Sequence, residues 1–306
     1  MQEPTNFTAS GEVTMKRKGP SNMAERIALI RAGESRKPED ERICYDPYAI
    51  RFISPEILEF AARNPEKYKA EIERLEQLFP GLANSAVARV RYFDDVVKAS
   101  ADDGLEQLVI LGAGYDTRAY RIEGLKNIKV FEVDHPDTQR VKIEKVREVF
   151  GSLPGHVTYV PLDLEFDKLG QQLTECGYDR SRKTLFVMEG LVMYLRPETM
   201  DEILSFIAHN SGKGSAVIFD YGVFRSSDAG ETAPEAGKNI RNFTKKRGEP
   251  LKFLIRDGEV ETFLSERGFS RIQNMTSKDY KKAYFCGKNE GRVVSSLISF
   301  AYALVR

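Results

Sequence analysis

From Asp103 onward, short runs that are apolar on both faces alternate with longer stretches whose apolar positions recur at helical spacing. The runs are QLVIL (107–111), KVFEV (129–133), VTYVP (157–161), TLFVM (184–188) and SAVIFDY (215–221). Their β-branched and aromatic content predicts strands buried on both sides. Between them lie PDTQRVKIEKVREVF, EFDKLGQQLTEC and PETMDEILSFIAHN, whose apolar spacing predicts helices, two of them with a proline near the first turn. Strict alternation of this kind means a parallel sheet with helices on both faces. Two later runs, FSRIQNM (269–275) and SLISFAYALV (296–305), follow each other without a strong helical pattern and predict an antiparallel pair at one edge, for seven strands in all.

No strand pattern interrupts residues 21–99. Ser21 is a fitting N-cap for SNMAERIALIRA, EKYKAEIERLEQLF carries apolar residues at helical spacing, and breakers at 36–47 and 80–81 divide the region into several helices. The expected organisation is a flexible tail over 1–20, a helical cap over 21–100 and a sheet core over 101–306. The segment at about 222–254 is longer than the sheet requires and follows a strand end, where lids occur.

Composition narrows the partners. The 306 residues include 46 basic and 46 acidic ones, so no overall field collects phosphates, and neither nucleic acid nor a membrane surface is an expected partner. No stretch is long and apolar enough to span a bilayer, and the first residues lack the apolar core of a signal peptide. Cys44, Cys176 and Cys286 fit neither a disulfide framework nor a structural zinc site, so the expectation is a cytoplasmic protein in a reducing compartment. His135, His156 and His209 have no spacing that points to metal binding or a catalytic dyad, and they are expected to be structural.

The strongest chemical signal is VILGAGYDTRAYR (109–121), directly after a predicted strand. Gly112 and Gly114 allow a tight turn and close approach of backbone to a ligand. A dinucleotide fingerprint would place a third glycine where Thr117 stands, which weakens a NAD reading and favours a cofactor without phosphates. Asp134, at the tip of the next strand and 20 residues beyond Gly114, is placed to accept from ribose hydroxyls, ahead of Glu132 on the same face. Asp163 with Leu164 suits an adenine, and Glu189 suits an ammonium group. All fall at C-terminal strand ends, the ligand-binding edge of an open parallel sheet. Together they describe a nucleoside that bears an amino acid.

The combination of LGAGYDTRAYR, EVDHP, PLDL and MEGLVMYL, preceded by DPYA (46–49) and ARVRYFDD (88–95), resembles the leucine carboxyl methyltransferase superfamily over roughly Ser21 to the C-terminus. The resemblance implies a Rossmann-like class I methyltransferase fold and S-adenosyl-L-methionine as cofactor. It implies Arg89 as partner of the methionine carboxylate, Gly112 beside the methionine, Asp134 on the ribose, Asp163 and Leu164 on the adenine and Glu189 on the ammonium. Arg118 and Arg121 match its signature, and their expected role is a clamp near Asp116.

Methyl transfer from a sulfonium is an in-line displacement that depends on alignment and exclusion of water. A carboxylate acceptor is already ionised at neutral pH and needs its charge offset rather than a base. The candidate cations are Arg225, Arg241, Lys245 and Lys246 in the lid, with Tyr194 and Tyr221 as hydrogen-bond donors or pocket walls. A phenol would call for a base that the sequence does not obviously supply. The expected acceptor is therefore a small-molecule carboxylic acid. The alternatives are a phenol or a protein C-terminus and, from other classes, NAD-dependent oxidoreduction or non-catalytic cofactor binding. Glu-Gly-Leu after the strand-four acid, where the phosphatase-directed branch has a cysteine-containing segment, speaks against a phosphatase C-terminus.

Overall fold

The computed structural model describes residues 19–225, 235–246 and 249–306. Its strands are β1 (Gln107–Leu111), β2 (Lys129–Asp134), β3 (Val157–Pro161), β4 (Thr184–Met188), β5 (Ala216–Phe224), β6 (Ile255–Arg256), β7 (Phe269–Met275) and β8 (Ile298–Val305). They form one sheet in the order β3-β2-β1-β4-β5-β8-β7, with β6 beside the end of β5. β1 to β5 are parallel, while β8 runs antiparallel to both β5 and β7. The antiparallel pair is as predicted, and β8 is inserted between β5 and the edge strand β7. β6, two residues long, is one strand more than the sequence pattern predicts.

Alternation along each central strand feeds two cores. Val109, Leu111, Phe131, Val133, Phe186, Met188, Val217 and Phe219 pack to one side of the sheet, and Leu108, Ile110, Val130, Leu185, Val187 and Ile218 to the other. Each such side chain contributes about 1.5–3 kcal/mol on burial, so neither face tolerates a polar run. The edge is handled differently. Arg271 in β7 has φ of 47° at a register shift between Ser270 and Gln273, a bulge that bends the exposed strand and disrupts its ladder.

The helices before the sheet are α1 (Asn22–Ser35), α2 (Pro55–Arg63), α3 (Pro65–Leu78) and α4 (Leu82–Asp102). Ser21 caps α1 by accepting from the amide of Ala24 at 3.2 Å. α5 (Arg118–Arg121) follows β1, α6 (Pro136–Phe150) follows β2, and α7 (Leu169–Glu175) and α8 (Pro197–His209) follow β3 and β4. α9 (Glu235–Lys245) belongs to the segment after β5, and α10 (Val260–Ser265) precedes β7. α11 (Ser277–Tyr284) joins β7 to β8, where the sequence shows no strong helical pattern. Its signal is local: Thr276 and Asp279 form a capping box, while Tyr280 is its single buried residue. Of the tail expected over 1–20, residues 1–18 lie outside the described residues, as do 226–234 and 247–248 of the expected lid. No described helix is long and apolar enough to cross a membrane.

Candidate functional site

The sheet reverses strand order beside β1, and the loop leaving β1 enters the crevice that this reversal creates. Gly112 takes φ of 64°, and a Cβ there would stand 2.9 Å from Cδ1 of Leu191, so the turn has room only for glycine. The Gly114 amide donates to Asp134 Oδ2, and the His135 amide donates to Asp134 Oδ1 at 2.6 Å. Asp134 is thereby fixed between the β1 loop and the start of α6. Glu132 is fully buried instead. It pairs with Lys142 at 2.7 Å and accepts from the Tyr120 hydroxyl, so of the two acids only Asp134 reaches the crevice. The helix that follows the glycines, α5, has four residues, too short to present the N-terminus that a pyrophosphate uses.

Beneath this loop lies a buried ionic network. Arg118 donates from Nε to Asp94 at 2.7 Å and from Nη1 to Asp116 at 2.5 Å, and Arg121 meets Asp94 through both terminal nitrogens. Arg118 Nη1 also lies 2.6 Å from Glu189 Oε2, close enough for an ion pair but not aligned as a hydrogen bond. Arg89 donates to Glu189 Oε1 at 3.1 Å and to Asp220 Oδ2 at 2.7 Å, and the Gly190 amide donates to the other oxygen of Asp220 at 2.5 Å. Asp46, from the DPYA segment, accepts from Thr117 Oγ1 at 2.7 Å and pairs with Arg31 of α1 at 3.1 Å. Arg118 and Arg121 thus act as clamps. A surface pairing of Arg89 with Asp94 or Asp95 is not formed, since Asp94 serves Arg118 and Arg121 while Asp95 pairs with Arg91.

Burial and charge oppose each other throughout the network. Burial acts to raise the Asp116 carboxyl, but Arg118 and then Lys142 overcome it and hold the group well below the usual carboxylate range. Asp94 is likewise lowered, burial being outweighed by Arg121 and Arg118. Asp220 goes the other way: burial raises it, and Arg89 offsets only part of the cost. A carboxylate this deep is tolerated only because its oxygens are hydrogen-bonded.

Above the network opens a cavity of about 450 Å³. Arg89, Gly112, Gly114, Asp134, Asp163, Leu164, Glu189 and Tyr194 all line it. Asp163 accepts from the Glu165 amide at 3.1 Å and lies 3.9 Å from His135 Nε2. His135 also lines the cavity, while its Nδ1 accepts from the Asp137 amide at 3.3 Å. His156 and His209 bond to the carbonyls of Ala119 and Ser205. Burial, with Glu249 nearby, raises Tyr194 far above the ordinary phenol range, so it stays a donor.

Tyr221 and Arg225 are not brought to the cavity. Tyr221 is buried in the core below β5 and donates to Asn274 at 3.0 Å, its hydroxyl pushed up to about 12 by burial. Arg225 donates to Asp257 at 2.9 Å and to the Ser296 carbonyl. Arg241, Lys245 and Lys246 are likewise not among the residues that line the cavity. α9 turns Ile240, Phe243 and Thr244 toward the cavity and leaves Arg241, Lys245 and Lys246 exposed. Among the described residues, the lysines and arginines that line the cavity are Arg26, Arg31, Arg89 and Lys252. Asp220 and Asp46 carry the loops from below and were not singled out as site residues. A lone acid inside the apolar run VIFDY was the available signal for Asp220.

Residues 24–208 match the model of the leucine carboxyl methyltransferase family. The chain belongs to this family. Membership makes it a methyltransferase, and the matched span contains the β1 loop and the acids at the ends of β2, β3 and β4. Among relatives, a Mycolicibacterium smegmatis protein named as a candidate S-adenosyl-L-methionine-dependent methyltransferase is 36% identical over 78% of this chain and 81% of its own. A Bacillus subtilis relative, YktD, named in the same way, is 28% identical over 83% and 82%. Among solved structures, a DUF574 family protein from Streptomyces avermitilis superposes with a TM-score of 0.58 at 15% identity, covering 91% of this chain and 97% of that one. A candidate methyltransferase from Thermobifida fusca gives 0.55 at 13%, covering 94% and 96%. At these identities the two structures establish the shared fold.

Proposed function

We propose that this methyltransferase takes the methyl group of S-adenosyl-L-methionine and transfers it to a carboxylate oxygen of a small acid. The observation that carries the cofactor reading is the convergence of Gly112, Asp134, Asp163 and Glu189 on one cavity at the C-terminal edge of the sheet. The donor set fits the group. Asp134 is fixed to accept from ribose hydroxyls, Leu164 and Asp163 offer an apolar wall and an acceptor for an adenine, and Glu189 and Arg89 offer opposite charges to an α-amino acid. The turn at Gly112 takes a left-handed φ of 64° and brings its backbone to the cavity.

When bound, S-adenosyl-L-methionine supplies an activated methyl whose C–S bond breaks as the O–C bond forms, the bonding pair staying on sulfur. The chain's own residues align, offset charge and exclude water. Tyr194, kept protonated by burial, is not a phenolate base, and His135 spends Nδ1 on its own helix start. Neither geometry offers a base beside an acceptor hydroxyl, which favours an acceptor that is ionised already. The charge-offsetting role first expected of the lid falls instead to cations that line the cavity, Arg26, Arg31 and Lys252 among them.

Calorimetry with S-adenosylhomocysteine tests the site. Asp134→Ala is expected to cost at least tenfold in affinity, about 1.4 kcal/mol, and Glu189→Gln a similar amount. Unchanged affinity in both variants would remove the assignment. The acceptor class is read from pH: a carboxylate acceptor predicts a transfer rate that is flat from about pH 6 to 8, since the acceptor is ionised above about 4–5. A rate that climbs tenfold per pH unit toward 10 would point to a phenol.

A further inference from the structure

The cavity has two chemically distinct ends. Strand tips and their loops bring Asp134, Asp163 and Glu189 to one, where Arg89 of α4 joins them, while helices line the other. α1 contributes Ile27, α3 contributes Ile72 and Leu75, the residue after it is Phe79, and α9 contributes Ile240 and Phe243. The acids of this second end are engaged with the fold. Glu76 accepts from the Gly81 amide at 2.7 Å, and Glu249 accepts from the Ser21 hydroxyl at 3.1 Å. Phe79 and Phe243 meet edge to face, with centroids 5.0 Å apart at 74°, so α9 closes onto the end of α3 through a ring pair. The Arg26 guanidinium also lies over the Phe243 ring, at 5.1 Å.

The cofactor acids account for the polar end and leave the apolar one without a ligand. Because it is continuous with that end, the group lying in it is the one presented to the methyl. We infer that the helical end is the acceptor chamber, that its substrate class is a carboxylic acid with an extended apolar body, and that the Phe79–Phe243 contact limits the length of that body. This rests on the methyl-transfer reading above and deepens it. The carboxylate would face the cofactor end, and the body would lie along Ile27, Leu75 and Ile240.

The test is calorimetry on the full chain saturated with S-adenosylhomocysteine, titrated with straight-chain acids from butyrate to dodecanoate and with the matching primary alcohols. Affinity for the acids is expected to rise about fourfold per methylene until the chain meets Phe243, and then to stop rising. Phe243→Ala moves that limit to longer acids, and Phe243→Leu, which keeps bulk without the ring, moves it less. Retained binding of S-adenosylhomocysteine shows that each variant is folded. Affinity independent of chain length, or no binding of either series, overturns the chamber. A length limit that stays in place in Phe243→Ala overturns the role of the ring pair. Acids and alcohols that bind equally well, with the length dependence intact, support the chamber and overturn the carboxylate reading instead.

Discussion

Asp220 sits in the middle of β5 with no exposed surface, its two oxygens divided between the Arg89 guanidinium and the Gly190 amide. It touches neither end of the cavity, so it acts as a positioning residue for Arg89 and for the loop that carries Glu189. Asp220→Asn keeps an acceptor for Gly190 but turns an N–H toward Arg89. The expected result is a KM for S-adenosyl-L-methionine raised about tenfold with kcat little changed, because ground-state placement is lost and the transferring atoms are untouched. A fall in kcat at constant KM would contradict a positioning role. The strand-tip acids were legible because a polar residue that ends an apolar run stands out. Asp220 was not, because it sits inside such a run and its partner Arg89 comes from a helix 131 positions away. The facing of the lid cations was not legible for a related reason: charge says that a residue can offset a carboxylate, but the apolar residues of α9 decide which face turns inward.

At the scale of elements, legibility follows from what each element packs against. Strands between two cores must be apolar on both faces, so their extents could be read almost residue by residue. α11 has one buried residue and a surface of lysines, so periodicity is nearly silent there and the fold relies on its cap. That reliance is measurable. Thr276→Ala removes the oxygen that accepts at the start of α11 and should cost about 1 kcal/mol in urea unfolding, with cofactor affinity unaffected. No change in the denaturation midpoint would mean that Tyr280, stacked on Phe300 at 4.8 Å and bonded to Ser85, holds the helix without its cap. β6 escapes sequence reading altogether, being two residues whose pairing with β5 depends on where the preceding segment returns to the sheet.

The buried network joins parts of the chain that the hydrophobic pattern separates. Arg31 from α1, Asp46 from the loop between α1 and α2, Asp94 from α4, Thr117 from the β1 loop, and Arg118 and Arg121 from α5 share one set of ion pairs and hydrogen bonds, so the cap cannot leave the sheet without stranding charges. Breaking a buried pair costs about 3–5 kcal/mol, which makes cap and core one cooperative unit at neutral pH. A single calorimetric transition is therefore expected for the wild type. Asp94 and Asp116 have folded values below the ordinary carboxyl value of about 4. Their stabilisation is thus complete above that value and lost as pH falls through the folded ones. Glu34 adds to it, burial being outweighed there by Arg292 and Lys37. Acid should consequently loosen the cap before the sheet, because the buried strand acids Glu132 and Asp220 are raised by burial rather than lowered and lose no stabilisation as pH falls. Limited proteolysis then has a defined target, since α2 and α3 contain no buried residue and depend on their neighbours for protection. Cleavage within 55–78 should accelerate below about pH 4 while the far-ultraviolet signal of the sheet persists. Two separate transitions at neutral pH, or cleavage rates indifferent to acid, would show that the cap is held by its apolar contacts alone.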